Sequence, residues 1–157
     1  MTAPSQAPTQ ACADDVVSIG DAAKATGVST RALRYYEEMG LVRPAAHSPG
    51  GHRLYAPAQC ARVRRIRQLQ DLMGFNLAEI SEILANEDRL DSLRDEFHRH
   101  EDPAHRLRIA EEALTVMSDL DARVEAKQKR LAEFRQAISE RRRRAEVVAA
   151  ELQQEAP

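Results

Sequence analysis

The sequence predicts a mainly α protein, in which a winged helix-turn-helix head with a small β-hairpin wing is followed by a long C-terminal dimerisation helix. Two observations predict this fold class. Residues 19–36 carry two short helical patterns joined by a tight turn at Gly27, which is the layout of a helix-turn-helix. Residues 103–153 carry one unbroken helical pattern whose mostly apolar positions recur at alternating steps of three and four, as in a coiled coil.

The first two helices are defined by their cap and turn residues. The first helix covers about residues 20–26, and Gly27 occupies the turn because glycine adopts positive φ most easily. Ser29 is the expected N-cap of the second helix, since its hydroxyl can accept a hydrogen bond from a free backbone N–H, and Gly40 ends that helix. Leu33 points to the core, which leaves three side chains of this recognition helix facing outward: Arg31, Arg34 and Tyr35.

A β-hairpin is expected directly after the recognition helix. We predict strands at residues 41–44 and 52–55, with residues 45–51 as a loop that contains the turn-forming run Ser-Pro-Gly-Gly. A hairpin at this place is a wing. Its tip can lie along the sugar-phosphate backbone while the recognition helix occupies the major groove of DNA.

Two further helices complete the predicted head, which we place at residues 15–86. The third helix covers residues 57–73 and begins at Pro57, a favourable first position. Its apolar side consists of Cys60, Val63, Ile66, Leu69 and Met73. Residues 76–79 resemble a capping box and predict a fourth helix that ends near Leu84.

Basic residues are concentrated in this head. The whole chain has a formal net charge of −2. Residues 24–70 nevertheless contain nine Lys or Arg against two Glu, whereas residues 71–102 contain ten acidic residues against three Arg. Affinity for DNA depends on a local basic face and not on the overall charge. The charge distribution therefore favours nucleic-acid binding by the head.

The predicted DNA contacts lie on the first two helices and on the wing. The full set is Lys24, Ser29, Thr30, Arg31, Arg34, Tyr35, Tyr36, Arg43, His52, Arg53 and Tyr55. We expect Arg31, Arg34 and Tyr35 to lie in the groove or at its rim, and Thr30 to reach a base edge. Lys24 and the wing residues are expected to contact phosphates. The alternative is an ordinary helical hairpin whose arginines are solvated.

Residues 17–85 resemble the N-terminal DNA-binding domain of the MerR family of bacterial transcriptional regulators. The matching residues are Ile19-Gly20, Thr26-Gly27-Val28-Ser29, Leu33-Arg34-Tyr35-Tyr36-Glu37, Gly40-Leu41, Gly51-His52-Arg53-Leu54-Tyr55 and Met73-Gly74-Phe75. One departure is Ala56, which precedes Pro57 where relatives usually have a polar cap.

The resemblance implies a homodimer whose heads are joined by an antiparallel coiled coil. It also implies binding to double-stranded promoter DNA at a pseudo-palindromic spacer. Bending and untwisting of that DNA would let RNA polymerase engage both promoter elements and so control transcription initiation.

The long helix at residues 103–153 carries the predicted dimerisation residues. These are Ala110, Ala113, Met117, Leu120, Val124, Leu131, Phe134 and Ile138, and the seam continues through Lys127, Arg141, Ala145, Val148 and Leu152. An uncovered apolar stripe of this length is unfavourable in water, so we expect a dimer. The spacing alone allows a parallel or an antiparallel arrangement. The arginines at 141–144 are either a solvated helix end or an added contact to DNA or polymerase.

An acidic linker is expected at residues 87–102, with a short amphipathic helix. The cluster in or beside it that could ligate a metal consists of His98, His100, His105, Glu96, Glu101 and Asp102. Its spacing matches no standard metal site, so we favour a solvated linker and expect neither metal nor cofactor.

The effector is unknown. Either it binds at helix junctions of the dimer, or another protein acts as the signal, or the protein works through its own concentration.

Residues 1–14 are expected to form a disordered tail, and residues 154–157 a short one. We identify no signal peptide and no membrane span, and the two cysteines, Cys12 and Cys60, do not suggest a disulfide framework. These features favour a cytoplasmic, nucleoid-associated protein that does not contact membranes.

We identify no nucleophile with a base and no phosphate-binding loop, so we expect no enzyme. The alternative function is a coiled-coil interaction protein with a degenerate DNA-binding head.

Overall fold

The computed structural model describes residues 15–155, and 77% of these residues are helical. Its helices are α1 (Ile19–Thr26), α2 (Thr30–Glu38), α3 (Pro57–Arg67), α4 (Leu77–Arg99) and α5 (Pro103–Glu155), and its strands are β1 (Val17–Ser18), β2 (Ala46–His47) and β3 (Arg53–Tyr55). The predicted fold class is confirmed. The chain divides into two units after Ala85. The predicted tail at residues 1–14 and the last two residues lie outside the described part.

The helix-turn-helix forms as Gly27 and Ser29 predict, and its first helix has a further cap that was not predicted. Ser18 caps α1, because its Oγ accepts a hydrogen bond from the backbone N–H of Asp21 at 3.2 Å. Gly27 follows α1 with φ of 69°, in the left-handed region. Ser29 caps α2 by accepting from the N–H of Ala32 at 3.0 Å. Leu33 is fully buried, so α2 presents its other side outward.

Arg67 of α3 closes the C-terminal end of α1. Its Nη1–H donates a hydrogen bond of 3.0 Å to the carbonyl oxygen of Thr26, one of the carbonyls that a helix end leaves without an intrahelical partner. A cation at this end also interacts favourably with the helix dipole. A Cβ at Gly27 would overlap the guanidinium of Arg67. The positive φ therefore favours glycine there, and a side chain at this position would also displace the guanidinium of Arg67.

The sheet differs from the predicted hairpin. It has three antiparallel strands in the order β1-β3-β2, with Val17 opposite Tyr55 and His47 opposite Arg53. The prediction of a strand at residues 41–44 is wrong, since β2 lies in the segment expected to be a loop. β1 was not expected.

Leu41 and Val42 explain the misplaced strand. Both side chains are 2% exposed, and the backbone N–H groups of both residues donate to the carbonyl of Tyr36. The backbone of this apolar pair therefore caps the C-terminal end of α2, and its side chains pack into the core. Apolar residues of this kind are also typical of strands, which explains the wrong prediction.

The third helix changes its geometry before its predicted end. α3 stops at Arg67 and continues as one π-helical segment at Gln68–Leu72. A π turn holds an extra residue, so the residues after it rotate away from the face that the 3.6-residue period predicts. Leu69 is buried as predicted, but Met73 is 45% exposed. The assignment of Met73 to the core is therefore wrong.

Cys60 is fully buried on α3, as its place on the apolar side predicts. Its sulfur is disulfide-bonded, which corrects the expectation that the two cysteines do not form a disulfide framework. The expectation rested on the position of one cysteine in the tail and the other on a buried helix face, and neither position shows whether a cysteine is paired. Cys12, the other cysteine of the sequence, lies outside the described residues.

The fourth helix is longer than predicted. It begins at a reciprocal capping box, in which Oδ1 of Asn76 accepts from the N–H of Glu79, and Oε2 of Glu79 accepts from the N–H of Asn76, each at 2.9 Å. The expected end near Leu84, followed by a separate short helix in residues 87–102, is wrong, because α4 continues to Arg99. No Gly or Pro interrupts this stretch, so nothing in the sequence ends the helix earlier.

The second unit contains the end of α4 and all of α5. Leu93 and Ile109 are buried in it, and Nε of Arg89 donates to Oε1 of Glu112 at 2.7 Å. The predicted cap Asp102 starts α5, since its Oδ2 accepts from the N–H of His105 at 2.9 Å. None of the helices in the described residues is long and apolar enough to cross a membrane.

Candidate nucleic-acid interface

The outer face of α2 gathers the predicted groove residues. Arg31, Arg34 and Tyr35 are all exposed, and Tyr35 retains 48% of its accessible surface. Their spacing of three and four puts Arg31 beside the other two on one face of the helix. Thr30 lies at the first position of this helix and is also exposed. Ser29 uses its Oγ as the helix cap, which leaves its hydroxyl hydrogen as a donor.

A carboxylate that the sequence analysis did not single out joins this helix to the wing, which we define as residues 46–55. The Nε–H of Arg53 donates to Oε2 of Glu37 at 2.6 Å, and the hydroxyl of Tyr55 donates to Oε1 of the same carboxylate. The Glu37 side chain is 11% exposed, whereas that of Arg53 is 44% exposed. The Arg53 side chain is thus partly exposed while its Nε–H is held by the carboxylate of Glu37.

Two tyrosines predicted as DNA contacts lie in the core instead. Tyr55 is fully buried and its hydroxyl is held by Glu37. Tyr36 is 6% exposed, and its hydroxyl donates to Oε1 of Gln70 at 2.7 Å. We remove both from the candidate interface, because each hydroxyl already has a protein partner and each ring packs inside the head.

The environment of both tyrosines favours their neutral forms. Burial, the hydrogen bond to Glu37 and the negative charge of that group raise the pKa of Tyr55 strongly. Burial and the charge of Asp71 raise the pKa of Tyr36. Both hydroxyls therefore keep their protons to a higher pH than an exposed tyrosine does, and they act as hydrogen-bond donors inside the fold.

The remaining predicted phosphate contacts are exposed. Lys24 lies on α1, Arg43 follows α2, and His52 lies in the wing turn. That turn is fixed because the N–H of Gly51 donates to the carbonyl of Ser48 at 2.8 Å, and the N–H of His52 donates to Oγ of Ser48 at 3.1 Å. The wing tip therefore presents His52 on a defined backbone.

Part of the basic charge of the head has an internal structural role. Nε of Arg62 donates to the carbonyl of Leu41 at 2.6 Å, and Nε of Arg67 donates to Oδ2 of Asp71 at 3.1 Å. A count of charges along the sequence cannot separate such arginines from those on the surface. The candidate interface consists of Lys24, Ser29, Thr30, Arg31, Arg34, Tyr35, Arg43, His52 and Arg53.

The predicted dimerisation residues fall into two environments on α5. Ala110 and Ala113 line an apolar groove together with Leu90, Leu93 and Phe97 of α4. Leu120 is half-buried. The five larger ones are 44% to 65% exposed: Met117, Val124, Leu131, Phe134 and Ile138.

Three of the six residues considered as metal ligands come together. Ligand atoms of Glu96, His100 and His105 all lie within 4.8 Å of one another. His98 is directed elsewhere, since its Nδ1 lies 2.6 Å from the carbonyl oxygen of Arg94. The helix α4 places Glu96 in its last turn and the cap at Asp102 places His105 in the first turn of α5.

Comparison with known proteins identifies the family of the head. The family model described as MerR HTH family regulatory protein matches residues 17–87. The HTH-type transcriptional regulator HmrR of Sinorhizobium medicae is 41% identical over 69 residues, which are 44% of this chain and 46% of HmrR. The nodulation protein NolA of Bradyrhizobium diazoefficiens is 38% identical over 108 residues, 68% of this chain and 45% of NolA.

A solved structure of a MerR-family transcriptional regulator from Bacillus cereus is 27% identical, with a TM-score of 0.43 over 80% of this chain and 79% of that one. The chain spans about half the length of the curated relatives it matches. The matched segment contains the helix-turn-helix, the wing and the start of α4. Residues 17–87 are therefore a helix-turn-helix domain of the MerR family.

Proposed function

We propose that the chain is a homodimeric, sequence-specific transcription regulator that places α2 in the major groove of promoter DNA. The observation that carries this proposal is the exposed face of Arg31, Arg34 and Tyr35 on the second helix of a MerR-type helix-turn-helix. Guanidinium groups on such a helix can bond to guanine edges or to phosphates. The name of the relative HmrR, a transcriptional regulator, supports the same role.

The wing and Arg43, which precedes it, supply the accompanying phosphate contacts in this proposal. Arg43 and His52 are exposed, and Arg53 keeps 44% of its side-chain surface while it is anchored by Glu37. A cation held at a fixed distance from the recognition helix contacts the backbone with a smaller loss of conformational freedom on binding. Lys24 on α1 adds a further cation on the head.

A second copy of the chain is the proposed partner of α5. The exposed stripe from Met117 to Ile138 would lose its contact with water against another such helix, and each large apolar side chain contributes about 1.5–3 kcal/mol when fully buried. The family resemblance favours an antiparallel pair. A two-fold symmetric dimer presents two recognition helices, which matches a pseudo-palindromic site.

Control of transcription initiation follows from this mode of binding. We propose that the dimer binds the spacer of a promoter, distorts the DNA, and so sets whether RNA polymerase engages both promoter elements. The protein would act in the cytoplasm on nucleoid DNA, and its role would consist of binding without a catalytic step.

The test is a footprint on the DNA immediately upstream of its own gene. We expect the full chain to protect a dyad that lies between widely spaced promoter elements, with two chains per duplex. A duplex in which one half-site is scrambled serves as the control and should lose most of the protection. No protected dyad, or equal protection of the scrambled duplex, would contradict the proposal.

A further inference from the structure

The turn between α4 and α5 brings together one carboxylate and two imidazoles. Glu96 belongs to the last turn of α4, His100 follows directly after that helix, and His105 lies in the first turn of α5. Nε2 of His105 lies 2.9 Å from Oε1 of Glu96, and the rings of His100 and His105 have centroids 4.2 Å apart. The ligand atoms of all three lie within 4.8 Å of one another.

We propose that Glu96, His100 and His105 form a site for a borderline divalent cation of the Zn²⁺ type. Imidazole nitrogen with one carboxylate oxygen is a donor set that such cations prefer, whereas Mg²⁺ prefers oxygen ligands throughout. Zinc bonds are about 2.0–2.2 Å long, and ligand atoms that already lie within 4.8 Å of one another need only small side-chain rotations to reach one cation. Three protein ligands leave one position for water.

The surrounding contacts hold two of these ligands in place before a cation arrives. Side chains of Glu96 and His105 are 32% and 25% exposed, so both are partly ordered by packing. Next to them, the guanidinium of Arg106 lies 3.9 Å above the ring of Phe97 and connects α5 to α4. A preorganised pair of ligands lowers the conformational entropy that metal binding costs.

Arg108 occupies one ring nitrogen of His105 and leaves the other, Nε2, as the nitrogen that faces Glu96 and would bind the cation. Its positive charge disfavours a cation at this site. Its Nη2–H donates to Nδ1 of His105 at 2.7 Å, which leaves the ring proton on Nε2, where it is donated to Glu96. A cation bound at Nε2 displaces that proton. The neutral ring then carries its proton on Nδ1, and the exposed side chain of Arg108 must turn away. The guanidinium thus reduces affinity both by its charge and as a donor that cannot accept from Nδ1–H.

Isothermal titration of the full chain with ZnCl₂ tests the site. We expect one Zn²⁺ per chain, no binding of Mg²⁺, and a loss of affinity of about tenfold or more in Glu96→Gln, His100→Ala and His105→Ala. His98→Ala is the matched control, because His98 lies on the same turn but is directed away, and it should bind as the wild type does. Arg108→Gln should bind about tenfold more tightly, since Gln can accept from Nδ1–H.

Two results would overturn the assignment. The first is the absence of Zn²⁺ binding in the wild type. The second is an equal loss of affinity in His98→Ala and His100→Ala, which indicates nonspecific binding to surface histidines. Imidazole ¹⁵N NMR of the folded full chain provides an independent readout, in which Zn²⁺ should shift the ring nitrogens of His100 and His105 and leave those of His98 unchanged.

Discussion

The Nε–H of Arg53 donates a hydrogen bond of 2.6 Å to Oε2 of Glu37, and this contact joins the wing to the C-terminal turn of the recognition helix. The other oxygen of the same carboxylate accepts from the buried hydroxyl of Tyr55. Charge-assisted hydrogen bonds to a group that is largely shielded from water are stronger than exposed ion pairs. One carboxylate therefore fixes the wing relative to α2.

Replacement of Glu37 by Ala should destabilise the head. The change leaves the hydroxyl of the buried Tyr55 without its acceptor, which costs about 1–3 kcal/mol of the free energy of unfolding. Urea unfolding followed by circular dichroism measures the loss. Glu38→Ala is the matched control, because Glu38 is the exposed neighbour with the same charge, and it should change stability by less than about 0.5 kcal/mol. Equal losses in the two variants would contradict the role of Glu37.

Alkaline solution should weaken the fold through Tyr55. Burial, the hydrogen bond to Glu37 and its charge raise the pKa of Tyr55 above the ordinary value of 10.0. Above pH 10 the unfolded chain loses this proton while the folded chain retains it, so the free energy of unfolding falls as the pH rises. Below pH 10 the contribution is fully present.

Urea unfolding between about pH 9 and about pH 11 measures this slope. Tyr55→Phe should show a shallower decline of the free energy of unfolding with pH than the wild type. Tyr36→Phe should make a smaller difference, because the hydroxyl of Tyr36 bonds to the neutral amide of Gln70 and not to a carboxylate. Tyr35→Phe, a change at an exposed ring, is the control. A wild-type slope in Tyr55→Phe would refute the assignment.

Substitution by alanine should reduce the free energy of unfolding by different amounts at two glycines that have the same backbone conformation. Gly27 and Gly40 have φ of 69° and 70°, and the left-handed region costs about 1–2 kcal/mol for a residue with a Cβ. A Cβ at Gly27 also overlaps the guanidinium of Arg67, whereas at Gly40 it meets nothing within 4 Å.

Gly27→Ala should therefore lose about 1 kcal/mol more than Gly40→Ala, since Arg67 must leave the carbonyl of Thr26. Thermal and urea unfolding of both variants provide the comparison. If the two substitutions cost the same, the contact between Arg67 and the end of α1 contributes nothing measurable.

A charge on the apolar stripe of α5 should separate the proposed dimer. Leu131 is 58% exposed in the single chain, and we expect the partner helix to cover it. Leu131→Glu should shift the protein towards monomer in sedimentation velocity at micromolar concentration, because a charge buried without a partner is costly. Ala132→Glu introduces the same charge beside the stripe and should remain dimeric. A monomeric wild type would remove the dimer from the proposal.

Much of the head could be predicted because its signals are local. Ser29, Gly27 and Leu33 act within one or two helical turns, and each lies where the sequence placed it. The capping box that starts α4 is equally local. Such features depend on residues three or four apart, which a single sequence displays directly.

Features that depend on distant residues could not be predicted in the same way. Tyr36 meets Gln70 across 34 positions, and Arg53 meets Glu37 across 16, so their burial and pairing appear only in the folded chain. A tyrosine beside arginines has the same sequence signature whether its ring lies in the core or on the surface. The π turn after Arg67 likewise shifts a helix face without any Gly or Pro to indicate it.

The α4–α5 turn illustrates a further limit. Glu96 and His105 are separated by a helix end and a helix start, so their distance depends on how the chain turns between them. A spacing of histidines along the sequence gives no information on that turn. The carboxylate and imidazoles therefore become a candidate site only in three dimensions.

The central claim is that the basic face of the head binds promoter DNA. Fluorescence anisotropy with a duplex of the DNA immediately upstream of the protein's own gene, over a series of salt concentrations, tests this claim most directly. We predict that affinity falls steeply as salt rises, and that Arg34→Ala loses about 1–3 kcal/mol of binding free energy and lowers the salt slope by about 1 per copy. Arg135→Ala removes the same charge from α5 and should bind as the wild type does. Equal affinity of wild type and Arg34→Ala, or binding that does not change with salt, would contradict the account.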